Sequence, residues 1–139
     1  LIFRLKQSLI NPYQPPDLFD TAIALSGVYD VRFFVGDFNH GDLPVYFNSP
    51  IDYIYNQEDS WFLDRYRRNH YIVCVGQGAW EAPHIPDTQR VQAAFNAKNI
   101  PAWFDYWGYD VAQDWPWWRV QMPFFLGKLE EQTTRSEER

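Results

Sequence analysis

One cysteine and three histidines are the side chains best suited to nucleophilic, acid–base or metal chemistry in this 139-residue sequence. Cys74 lies inside the apolar run Tyr71-Ile72-Val73-Cys74-Val75, the setting of a buried strand residue; being alone, it also excludes an intrachain disulfide. His40 falls in Asn39-His40-Gly41-Asp42 and reads as a loop residue, His70 stands where the Cys74 strand begins, and His84 lies in the loop after that strand. Zinc sites draw their histidines from short helix or finger spacings, and these three have none, so no metal is expected. The basic knot Arg65, Arg67 and Arg68 sits among acids and reads as a solvated helix face. With 12 Lys and Arg against 18 Asp and Glu the net charge is −6. Nucleic-acid binding, which takes its affinity from clustered cations, is thereby excluded as a function.

The elements that must hold these residues follow from apolar periodicity. Leu1, Ile2, Leu5 and Leu9 recur at helical spacing and predict an amphipathic helix over 1–10, ended by Asn11, Pro12, Pro15 and Pro16. Thr21 to Ser26, Tyr71 to Val75 and Ala102 to Trp107 are short apolar runs, each stopped by a glycine, as in strands buried on both faces of a parallel sheet. Between the second and third, Val91, Ala94, Phe95 and Lys98 mark a helix that starts near Pro86 and Asp87 and stops at Asn99 and Pro101. That crossover is long enough for parallel pairing. The stretch 28–69 closes in a helix, Glu58 to Arg68, whose Trp61, Phe62 and Tyr66 would pack on the sheet. Its part from Asp37 to Pro50, with Gly41, Pro44 and Pro50, reads as a loop of the kind that sits over a site. A last helix is predicted from about Pro116 to Leu129, with Pro116 in the first turn and a kink at Pro123. The polar end, 130–139, reads as a disordered tail.

These elements define an α/β fold: one three-layer domain over 1–129 around a mostly parallel sheet. Aromatic residues, 19% of the chain, supply ample core area. No run approaches the roughly 20 apolar residues of a bilayer span, and Leu1-Ile2-Phe3-Arg4-Leu5-Lys6 lacks the apolar core of an export signal. No membrane partner and a cytoplasmic location are the expectations.

Pattern alone leaves several doubly wound folds open. Four strings narrow the choice: 16–27 (Pro-Asp-Leu-Phe-Asp-Thr-Ala-Ile-Ala-Leu-Ser-Gly), Phe47-Asn48-Ser49-Pro50, 74–81 (Cys-Val-Gly-Gln-Gly-Ala-Trp-Glu) and 108–118 (Gly-Tyr-Asp-Val-Ala-Gln-Asp-Trp-Pro-Trp-Trp). Together they resemble the esterase family related to esterase D, in the α/β-hydrolase superfamily, over roughly Pro16 to Leu129. The match covers the C-terminal half of that fold.

The resemblance implies carboxylic-ester hydrolysis through an acyl-serine, with a small-molecule ester as partner and no cofactor. In the family the serine sits on a Gly-x-Ser-x-Gly elbow, followed in chain order by an Asp or Glu and a His. No such elbow occurs in this sequence, and Ser26 in Ala24-Leu25-Ser26-Gly27 is its nearest imitation. Glu81 stands where the family places its acid, with a solvated loop glutamate as the other reading. Gln113 stands where the family places its histidine, before the Asp-Trp that opens the last helix, and glutamine cannot take a proton near neutral pH. Asp110 and Asp114 flank it, Asp114 as a helix cap. Trp80 and Trp115 are the candidate substrate-binding rings of a tryptophan cluster that otherwise packs as core. The expectation is therefore a partial α/β-hydrolase, a fragment inactive alone and prone to self-association along an unpaired strand edge unless residues 1–10 fold over it. The alternatives are a non-catalytic binding or scaffold protein of the same fold and an aromatic-rich carbohydrate- or aryl-binding module.

Overall fold

A computed structural model of the chain describes residues 2–3 and 20–138. Its strands, β1 (Ile2–Phe3), β2 (Thr21–Leu25), β3 (His70–Val75) and β4 (Trp103–Tyr106), form one sheet in that order. β2, β3 and β4 are parallel, with Ile23 opposite Ile72 and Ile72 opposite Trp103. The three apolar runs thus become the strands that their composition predicted. β1 corrects the helix expected over 1–10: Ile2 and Phe3 pair antiparallel with Ala24 and Ile23, and residues 4–10 lie outside the described residues. The free side of β2 carries N–H and C=O groups that need partners, which a strand supplies and a helix cannot.

The described residues also form six helices: α1 (Arg32–Val35), α2 (Leu43–Tyr46), α3 (Pro50–Asn56), α4 (Ser60–Arg68), α5 (His84–Ala97) and α6 (Trp115–Glu137). Side chains alternate across strands, so the sheet has two apolar faces. On one, Ala24, Tyr71 and Val73 meet Tyr53 of α3, Tyr66 of α4 and Phe95 of α5. On the other, Ile23, Leu25, Ile72 and Cys74 meet Phe125 of α6. The result is the expected three-layer α/β arrangement. Of the predicted stripe on α4, Tyr66 is buried, whereas Trp61 faces solvent under the Arg65 guanidinium, 3.6 Å from the ring centroid.

Local chemistry sets the helix ends. Asp59 and Asp114 cap α4 and α6 by accepting from the N–H of Trp61 and Trp115. The end of α5 is a Schellman motif: Asn99 takes φ 54°, its N–H donates to Asn96, and the Ile100 N–H donates to Phe95. Residues 37–50, expected as loop, contain α2 and the start of α3. The prolines taken as breakers, Pro44 and Pro50, occupy the first turns of these helices, where a missing N–H costs little. Residues 130–137, expected as disordered tail, continue α6 with their side chains exposed. Glu130, Glu131 and Gln132 are good helix formers, and Lys128 reaches Glu131 across one turn.

Candidate functional site at the strand ends

Three loops leave the carboxyl ends of β2, β3 and β4, the edge at which open α/β sheets hold their ligands. Ser26 follows β2 directly and takes φ 50°, a left-handed conformation rare for a residue with a Cβ. Its N–H donates to Cys74 O at 2.8 Å and its Oγ donates to Glu81 Oε1 at 2.5 Å. The Gly76 N–H donates to the same carboxylate oxygen at 3.2 Å. Glu81 is fully buried, and its Oε2 has no hydrogen-bond partner among the described residues. Glu81 is therefore not the solvated loop glutamate of the second reading.

The loops after β3 and β4 are pressed together. Gly78 N–H donates to Val111 O at 2.8 Å, and Gln113 N–H donates to Ala79 O at 3.0 Å. A Cβ on Gly76 would stand 2.3 Å from Val111 O, so only glycine permits this approach. The contact delivers the Gln113 side chain to two partners. Its Nε2 donates to the Ser26 carbonyl at 3.4 Å, and its Oε1 lies 2.9 Å from His84 Nε2. Ser26, Glu81, His84 and Gln113 thus form one chain of contacts across all three strand ends.

His84 is a buried residue at the start of α5, where the sequence placed it in a loop. His40 stays on the excursion, 3.1 Å from Asp52, and His70 opens β3, exposed. Cys74 is fully buried, and burial pushes its thiol far up, reinforced by the carboxylates of Asp105 and Glu81. It cannot serve as a thiolate. Trp80 and Trp115 face solvent, 79% and 51% exposed, so neither packs as core. Tyr109, 84% exposed on the β4 loop, is a further aromatic of this edge. No group of His, Cys, Asp and Glu able to hold a metal occurs among the described residues.

The pairings of Ser26 with Glu81 and of His84 with Gln113 escaped sequence reasoning. Each joins residues from separate loops. The only local hint was the three-residue spacing that sets Glu81 and His84 on either side of a helix start.

The chain is thus a mostly parallel sheet covered on both faces, with polar groups gathered at the strand ends, an α/β architecture. A solved structure described as a ferulic acid esterase shares it, with a TM-score of 0.57 and 16% identity over 77% of this chain. The match covers 39% of that protein, so the chain spans well under half the length of this neighbour. No family model and no curated protein matches the chain. Among the described residues, no helix is long and apolar enough to cross a membrane.

Proposed function

We propose that this chain is part of a carboxylic-ester hydrolase, that Glu81 is its acid, that Gln113 occupies the position of its base, and that the chain alone does not turn over esters. The observation that carries this reading is the fully buried Glu81 carboxylate with one oxygen unmatched, at the end of the sheet where a charge relay would be assembled. A carboxylate so placed serves to orient and stabilise an imidazolium, and an amide at position 113 cannot become one. Ser26 is a poor nucleophile here: it is buried, and its hydroxyl is committed to Glu81 rather than to an imidazole. The attacking serine would come from outside the described residues. Trp80, Trp115 and Tyr109 supply exposed rings against which an acyl or aryl ester group could lie.

The test is hydrolysis of short-chain aryl esters by purified chain and by its Gln113→His variant. The expected outcome is no turnover above blank for either, because a base without a nucleophile restores nothing. Turnover that survives repurification and disappears in Ser26→Ala would overturn the proposal. A second reading, a binding protein that keeps the fold without the reaction, is favoured by one observation: both ends of the Gln113 amide are engaged, so the residue works as a structural link.

A further inference from the structure

A cavity of about 250 Å³ opens beside the strand ends, between the chain that follows β2 and the first turn of α5. Val28, Phe33, Pro83 and Pro86 give it apolar walls, and Asp30, His84, Asp87 and Arg90 its polar ones. Asp87 is the unusual group among these. It is only 8% exposed, and one of its two oxygens does all the bonding. Oδ2 accepts the backbone N–H groups of Tyr29 and Asp30, whereas Oδ1 has no partner among the described residues.

The neighbouring cations are committed elsewhere. Arg90 donates to Asp30 at 2.9 Å, and Arg32 donates to Asp30 at 3.0 Å and to Asp52 at 2.9 and 3.0 Å. Three carboxylates, those of Asp30, Asp52 and Asp87, thus share two guanidiniums, and Asp87 is the one left over. Burial pushes its carboxyl upward and the charge of Asp30 adds to the push, while the two N–H groups and Arg90 oppose it without restoring the ordinary value. A buried carboxylate with no cation costs stability, and a positively charged ligand placed beside it would relieve that cost.

His84 supplies a second acceptor. Because Gln113 Nε2 donates to the Ser26 carbonyl, its Oε1 is the atom turned to His84, and a carbonyl oxygen only accepts. The neutral imidazole therefore carries its proton on Nε2 and its lone pair on Nδ1. A hard metal ion takes about six or more oxygen ligands, which this border does not offer. An ammonium needs only two or three acceptors, and its carbon body would meet the prolines and the Phe33 ring, whose face attracts a cation.

We propose that this cavity binds a primary alkylammonium ion, which donates to Asp87 Oδ1 and His84 Nδ1 with its chain against Phe33, Pro83 and Pro86. The ion is either a free amine or the end of a lysine side chain. The site needs no nucleophile, and the inference is independent of the ester chemistry above.

The experiment is an NMR titration of the full chain at pH 7 with n-propylammonium, n-propanol, propionate and Nα-acetyl-lysine N-methylamide, following the Asp87 carboxyl carbon and the side-chain nitrogens of His84. Propylammonium should saturate in the millimolar range expected of so small a ligand and shift both groups. The alcohol has nearly the same shape without the charge and should bind about tenfold more weakly, the margin of a charge-assisted hydrogen bond over a neutral one. Propionate should bind more weakly still. Asp87→Asn keeps an acceptor for the Tyr29 and Asp30 N–H groups but offers the ligand an amide donor, and it should erase the preference for ammonium over alcohol. Phe33→Ala alters a side chain that is 60% exposed, so it leaves the fold intact and should weaken propylammonium binding about threefold. Saturable binding of either ammonium ligand supports the assignment, and the tighter of the two names its source. Asp87 and His84 signals unmoved by both, n-propanol binding as tightly as propylammonium, or a preference undiminished by Asp87→Asn would each overturn it. Ester turnover would count against the preceding proposal and leave this one standing.

Discussion

Arg32 is held by two carboxylates, at 3.0 Å from Asp30 and in a two-pronged contact with Asp52 at 2.9 and 3.0 Å, whereas the more deeply buried Glu81 meets only a hydroxyl and a backbone N–H. The first network ties the excursion between β2 and β3. Ser49 adds a donor to Asp52 at 2.5 Å, and Arg90 brings α5 to Asp30 at 2.9 Å. Burial alone would raise both aspartates, yet Arg32 and the hydrogen bonds around it more than offset this and hold them below the usual carboxylate range. Among the described residues, the strand-end network has no cation and leaves Glu81 Oε2 unmatched. Groups that serve the fold are normally satisfied internally, so the unmatched oxygen at the strand ends is the exception that calls for a role.

The contrast should break most sharply at the strand ends, where shape rather than charge sets the tolerance. Gly76→Ala drives a Cβ into the Val111 carbonyl and should cost about 3 kcal/mol, read as a lower urea midpoint, with the Gln113 link to Ser26 lost.

Arg32→Met should cost less, about 2 kcal/mol at pH 7, because Arg32 remains partly exposed. It should also change the acid limb. Asp30 and Asp52 have folded values below their ordinary 3.8, so their contribution is present above that pH and is lost as pH falls through the lowered values. The variant should lack most of this acid-dependent loss in urea titrations from pH 5 to 2, whereas a limb identical to the parent's would show that Arg32 does not hold the excursion.

The smallest effect should come from Asp87, whose shift has the opposite sign. Its folded value lies above 3.8, so ionisation costs stability as pH rises through the raised value. Asp87→Asn keeps an acceptor for Tyr29 and Asp30 and removes that cost. The expected gain at pH 7 is under about 1 kcal/mol, the scale of one neutral hydrogen bond, and it should vanish near pH 3.

Local signals were legible and tertiary ones were not. Thr21 to Leu25, His70 to Val75 and Trp103 to Tyr106 announced themselves because strands buried on both faces are nearly continuous apolar runs. Asn99 marked the end of α5 because asparagine tolerates a left-handed φ. The short helices of the excursion were hidden by prolines that both start helices and end them. β1 was hidden by Leu and Ile spacing that suits a helix, although pairing with β2 decided the matter. At the strand ends, Glu81 and Gln113 were singled out by resemblance alone. Burial of Glu81 in a Gly-Ala-Trp-Glu-Ala loop has no local cue, and neither does its meeting with Ser26, 55 residues away.

The unequal connections between β2, β3 and β4 bias the order in which these strands can pair. The connection 76–102 between β3 and β4 is far shorter than the connection 26–69 between β2 and β3, and closing a longer loop costs more entropy. The β3-α5-β4 unit can therefore form early, with β2 joining after the excursion has collapsed. Because Ser26 ends β2 while Glu81 and His84 belong to the β3-α5-β4 unit, the strand-end contacts are expected to be completed late in folding. Side-chain truncations at Ile23 should then act mainly on the unfolding rate, and those at Ile72 on the folding rate.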